Sequence, residues 1–164
     1  MRAGTSIPEM MAGVESDADA AALAGYAEAL AEGIDAAIGP WVIAAVSRRS
    51  GERDLEAEAA VAARQAQQDV GSAVRALLAL DVDAQPTTPL ALVRGAVRYP
   101  TEVLASAGVR PVDRDPVAAE GFPDDVYDLT PGSLADLDPA LVEAGIEWGA
   151  AKAHTVLRRR KGPS

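Results

Sequence analysis

Residues 54–80 read DLEAEAAVAARQAQQDVGSAVRALLAL, and this stretch decides the fold class. Leu55, Ala59, Ala62, Ala66, Val70, Ala73, Leu77 and Leu80 recur at steps of three and four, close to the turn of an α-helix. Arg64, Gln65, Gln67, Gln68 and Arg75 fall largely off that stripe, so the segment reads as a long amphipathic helix opened by Asp54. An apolar stripe of this length must be covered by other helices.

The flanking sequence supplies them. Ser16, with Asp19 three residues on, resembles a capping box, and Leu23, Ala27, Leu30, Ile34 and Ile38 continue on one face. Gly39-Pro40 is expected to end that helix and to start a short one, Trp41 to Arg49. The run WVIAAV in it shows no polar face and calls for burial or a partner. Ser50-Gly51 then breaks the chain, and Asp81–Thr87 reads as a connector. Four dipeptides, Thr88-Pro89, Asp115-Pro116, Thr130-Pro131 and Asp138-Pro139, join a capping side chain to a proline suited to the first helical position.

After Thr88 come two apolar rows, Leu90/Val93/Val97/Leu104 and Leu92/Ala96/Tyr99/Val103, with a kink or break predicted at Tyr99 before Pro100. The final helix, after Asp138-Pro139, would pack through Val142, Ile146, Gly149, Ala153 and Leu157, its small residues admitting a close neighbour. Between Gly108 and Asp138 lie four prolines and eight acids. Val117, Phe122, Val126, Tyr127, Leu129, Leu134 and Leu137 punctuate this excursion as anchors, so it reads as short helical turns. No alternating strand pattern and no internal repeat is visible.

The expected fold is therefore all-α, a single-domain helical bundle of five or six helices with a long Pro/Asp-rich excursion of short helical turns. Its core helices start at Ser16, Asp54, Thr88 and Asp138. Residues 1–15 are expected to be a mobile arm, 16–160 the domain, and 161–164 a basic tail. At 164 residues such a domain buries roughly 70% of its unfolded surface without a staple. Only 4% of residues are aromatic although 49% are hydrophobic, so the core must be built from Ala, Val and Leu at close approach. Trp41 and Trp148 are each expected to anchor the core or an interface.

The stretches DVDAQPTTPLALVRGAVRYPTEVL, from Asp81, and FPDDVYDLTP, from Phe122 to Pro131, resemble a family of small Ala-rich helical proteins from high-GC bacteria. They make up about a fifth of the chain. The resemblance implies a helical fold and no particular activity.

Composition narrows the function. There is no cysteine, which removes thiol catalysis, thiolate zinc sites and disulfides and fits a cytoplasmic protein. A net charge of −10 opposes binding to nucleic acid, although Arg158-Arg159-Arg160-Lys161 forms a cationic helix end. No uninterrupted apolar run reaches the ~18 residues of a membrane span, and no membrane partner is expected. Thirteen arginines stand against two lysines, a bias that GC-rich codons produce. No nucleotide-binding glycine motif occurs, and no cofactor is expected.

Three constellations could carry chemistry. Arg94 and Arg98, one turn apart and beside Tyr99, could grip a carboxylate or phosphate. Alternatively they pair with Asp113, Asp115 or Asp124 and tie the excursion to the bundle. Asp124, Asp125 and Asp128 form a DDxxD of the kind that chelates Mg²⁺ in prenyl-diphosphate synthases, but Pro123 and Pro131 bracket it here, which favours a capping loop. His154 lacks neighbours at metal-ligand spacing and suits a helix-end position. With reactive residues scarce and helix faces plentiful, the expected function is a non-enzymatic helical protein-interaction module, self-associating or with a protein partner. The alternative is a small-molecule or anion-binding protein using Arg94, Arg98 and Tyr99. A two-fold dimer hiding WVIAAV is one form the first reading takes.

Overall fold

The computed structural model describes the backbone of residues 7–81 and 87–161, and the side chains of 18–81 and 87–161. Among them are six α-helices and no strand: α1 (Ile7–Arg49), α2 (Glu56–Ala79), α3 (Pro89–Gly95), α4 (Arg98–Ser106), α5 (Pro116–Gly121) and α6 (Leu141–Lys161), with a 3-10 turn at Leu134–Asp136. The chain is all-α. The first six residues of the expected arm and residues 82–86 of the connector lie outside the described residues. Helix already runs from Ile7, nine residues before the expected start at Ser16.

The larger correction concerns Pro40. Helix α1 does not end at Gly39-Pro40 but runs through it for 43 residues, a rod of about 65 Å. A proline inside a helix costs ~3 kcal/mol, because it cannot donate to the carbonyl four residues back. Here Trp41, Val42, Ala45 and Val46 follow directly and are all buried, and stopping at Pro40 would withdraw them from the core. Continued burial outweighs the local defect. The apolar run WVIAAV is thus covered by the chain itself, and only Ile43 and Ala44 of it face outward. It offers no dimer interface of the expected kind. By length and composition α1, over Ala18–Arg49, is also the one helix among the described residues that could cross a membrane; just over half of its most apolar window is buried.

Helices α2 and α6 both pack along α1. Gly71 of α2 lies beside Asp35, Gly39 of α1 beside Ala63 and Gln67, and Ala59 shares a cluster with Ala45, so α1 and α2 are antiparallel. Helix α6 also runs antiparallel to α1, with Leu141 against Gly33 at one end and Arg158 paired with Asp19 at 3.1 Å at the other. A Cβ placed on Gly33 would sit 2.5 Å from the Leu141 side chain, so glycine is what lets the α6 end approach. Ser50 and Gly51, the latter at φ 65°, form the expected break after α1. Gly108, at φ 72°, closes α4 in the same left-handed way, with Val109 N–H reaching back to the Leu104 carbonyl.

The main core joins Leu30, Ile34, Ile38 and Val42 of α1 to Ala62, Ala66, Val70 and Val74 of α2, with Val93, Tyr99 and Leu141. Both tryptophans belong to it. A second cluster combines Ala45, Val46, Ala59 and Leu104 with Tyr127 and Leu129 of the excursion. The stripe that decides the fold is buried at Ala59, Ala62, Ala66, Val70 and Leu77, while Leu80 at its end is exposed. The expected packing row of α6 is wrong. Val142, Ile146 and Leu157 face solvent, and the inward row is Leu141, Trp148 and Thr155, spaced at seven residues. The apolar pattern of α6 therefore has two faces, and only one is used internally.

Replacing Ile34, which is fully buried, by alanine is expected to cost about 2–5 kcal/mol in denaturant unfolding. Leu80→Ala, by contrast, should cost less than about 0.5 kcal/mol, because that side chain is already in water.

Candidate functional site

The candidate residues lie around the junction of α3 and α4. Thr88 caps α3 by accepting from the Ala91 N–H at 3.4 Å, with Pro89 in the first position, as the sequence implies. The break falls at Ala96–Val97, three to four residues before Pro100 and not at Tyr99. Pro100 sits in the first turn of α4, where a helix has no partner for its N–H groups. Tyr99 N–H takes the Ala96 carbonyl at 3.1 Å instead, which keeps Tyr99 helical.

This reorientation sends the two arginines to different partners. Arg94 turns to the excursion, donating from Nε to the Pro131 carbonyl at 3.2 Å and from a terminal nitrogen to the Gly132 carbonyl at 3.1 Å. Its guanidinium also stands 5.5 Å from the centre of the Phe122 ring. Arg98 lies over the Tyr99 ring, donates to the Tyr99 hydroxyl at 2.7 Å and faces Asp69 of α2 at 3.8 Å. Tyr99 in turn donates to Asp69 at 2.6 Å. Burial first, and then the Asp69 acceptor, push the Tyr99 hydroxyl above its ordinary pKa. The structure thus brings Arg98 and Tyr99 together without Arg94, with the carboxylate of Asp69 beside both. Asp69, on the polar flank of α2, carries no local signal of this role.

Arg94 does tie down the excursion, but through backbone carbonyls and not through Asp113, Asp115 or Asp124. A second arginine does more. Arg114 donates to the carbonyls of Phe122 at 2.8 Å, Ala118 at 2.6 Å and Asp125, closing the loop around α5. Val112 N–H reaches the Val126 carbonyl at 2.9 Å, and the Tyr127 hydroxyl donates to the Val109 carbonyl at 2.8 Å. Of the expected anchors, Tyr127 and Leu129 are buried and Leu134 and Leu137 half-buried, whereas Val117, Phe122 and Val126 are exposed.

The DDxxD residues separate. Asp124 is exposed, Asp128 adopts a left-handed φ of 56°, and Asp125 is buried. The turn at Asp128, a conformation that Asp tolerates better than most residues, points the next two N–H groups back at Asp125. The Asp125 carboxylate accepts from Leu129 N–H at 2.9 Å, from Thr130 N–H at 2.6 Å and from the Thr130 hydroxyl. Burial alone would raise this carboxyl, but the Thr130 hydroxyl, those two N–H groups and the Arg114 charge outweigh it and hold it below the ordinary carboxylate value. Thr130 is therefore the donor side of this clasp, not the cap of a helix at Pro131. Among the described residues no group of three or more acidic or histidine side chains could hold a metal ion. His154 lies on the exposed side of α6, 4.0 Å from Asp19.

Among the open depressions that flank these groups, two are mainly apolar. One, about 520 Å³, lies between α2 and α4 over Leu55, Val61, Ala62, Tyr99 and Val103, with Glu58 and Glu102 at its rim. The other, about 290 Å³ and largely apolar, runs between α6 and the start of α3, where Val142, Gly145, Ile146 and Trp148 meet Pro89 and Leu90. Neither gathers nucleophiles, bases or convergent cations. No family model, curated protein or solved structure matches this chain.

Asp125→Asn is expected to destabilise the fold by about 1–3 kcal/mol at neutral pH, since buried donors lose a charged acceptor. A carboxyl held below its unfolded value stabilises the native state fully above that value, about pH 4, and loses its contribution as pH falls through the native value. Thermal melts from pH 7 to pH 3 should therefore show wild type converging on Asp125→Asn only at the acid end.

Proposed function

We propose that the protein is a non-enzymatic helical interaction module that works by presenting a fixed apolar face to another polypeptide. One observation carries this reading: the outer side of α6 exposes Val142, Ile146 and Leu157 at 41%, 65% and 57%, in line with Gly149 and Ala153. Scattered exposed apolar residues are ordinary, but a continuous row along one helix face is the pattern of a docking surface. The polar groups able to act on a small molecule, by contrast, hold partners within the fold. Arg94, Arg98, Tyr99 and Asp125 all hold internal partners, which leaves the anion-binding alternative without a free clamp.

A photo-activatable residue placed at Ile146 in the cell should yield covalent protein adducts. The same residue at Arg64, exposed on the polar side of α2, should not. Absence of adducts at both positions would remove the interaction reading altogether, whatever the identity of the partner.

A further inference from the structure

The outer face of α6 has a symmetry that identifies its occupant. Its row is Val142, Ile146, Gly149, Ala150, Ala153 and Leu157. Read in reverse, the row sets large against large at the ends, the large Ile146 against a small residue next to them, and small against small in the middle. Val142 falls opposite Leu157, Ile146 opposite Ala153, and Gly149 opposite Ala150. A Cβ on Gly149 would meet nothing within 4 Å among the described residues, so none of them fills this centre. The row is therefore complementary to its own inverted copy, the requirement of an interface with a two-fold axis.

Charge chooses the same arrangement. Glu143 and Glu147 lie along the flank of the row in the first half of α6, and His154 and Lys161 follow at steps of seven on that same flank, with Arg158, already paired with Asp19 of its own chain, close beside it. A parallel copy would set acid against acid and base against base. An antiparallel copy lays Glu143 and Glu147 alongside the basic end of its partner. The apolar depression next to Val142 and Ile146 also opens where Leu157 of the second copy would arrive.

We infer that two copies of this chain pair through α6, antiparallel, about a two-fold axis that passes between Gly149 and Ala150. This deepens the interaction reading above and rests on it, naming the partner as a second copy. The seam spans 16 residues, about 24 Å of helix per chain. A contact of that size falls below the ~1,200 Å² of a standard interface, so the dimer dissociates in the micromolar range or above.

The natural absence of cysteine makes the test direct. Under mild oxidation, Ala150→Cys should form a disulfide-linked dimer, because residue 150 lies by the axis. Val142→Cys alone should not, its two copies being more than 20 Å apart along the seam by the ~1.5 Å rise per residue. The double variant Val142→Cys/Leu157→Cys should cross-link again. Sedimentation of wild type should show self-association that weakens with added salt, and Ile146→Glu should weaken it at least tenfold with an unchanged melting temperature. Cross-linking of the Val142→Cys single variant would overturn the antiparallel arrangement. A wild type that stays monomeric at millimolar concentration, with no disulfide formed by Ala150→Cys, would overturn the pairing. So would an Ala150→Cys monomer whose new thiol its own chain shields from alkylation. The in-cell adducts at Ile146 separate the two failures: adducts with a different protein reject self-pairing but keep the interaction reading, and no adducts reject both.

Discussion

The structure depends on a constraint set by small side chains. With so few aromatic residues, the core gains contact area only if helix axes come close, and closeness requires alanine or glycine at the crossing. Helix α2 meets this with Ala62, Ala63 and Ala66 against the larger Leu30, Ile34, Ile38 and Val42 of α1, and with Ala59 against Ala45 and Val46. Helix α6 meets it through the Gly33–Leu141 contact. Because both partners lean on the same 43-residue rod, α1 must stay continuous, and Pro40 is accommodated. The rod also enters both core clusters, the first through Ala27 to Val42 and the second through Ala45 and Val46, so one continuous helix sets the position of both.

The all-α class and the α2 stripe were legible because periodicity is a local property and burial follows it. Three capping residues were legible for the same reason. Thr88, Asp115 and Asp138 accept from the N–H groups of Ala91, Val117 and Ala140. What was not legible depends on competition between terms of different range. A proline at position 40 signals a helix end locally, and only the burial of Trp41, Val42, Ala45 and Val46 against segments far along the chain reverses it. Helix α6 shows the converse difficulty. By sequence the outer row is the better apolar stripe, and only the packing against α1 selects Leu141, Trp148 and Thr155 for the inside.

The candidate site was legible as an inventory but not as a geometry. Arg94, Arg98 and Tyr99 do sit at a helix break near the excursion, as their sequence places them. Yet a break alters the angle between residues four apart, and here that alteration is what separates the two guanidiniums. The group that completes the Arg98–Tyr99 network, Asp69, is thirty residues away in sequence. Arg114 is hidden in the sequence because it is embedded among acids that suggest solvent exposure, although its targets are carbonyl oxygens. Such partners carry no side-chain signature.

That preference for carbonyls has a consequence for sequence tolerance. Arg94 and Arg114 grip the backbone at Pro131, Gly132, Phe122, Ala118 and Asp125, and Tyr127 grips it at Val109. Each acceptor would be present whatever side chain its residue bore. The excursion is thus shaped by a handful of donors while most of its outward positions, among them Val117, Glu120 and Asp124, are free to vary. A chain built this way could exchange much of the chemical character of that surface, charge for charge or polar for apolar, and keep the same outline. The lasting identity of the region resides in its path, with its surface left open to substitution.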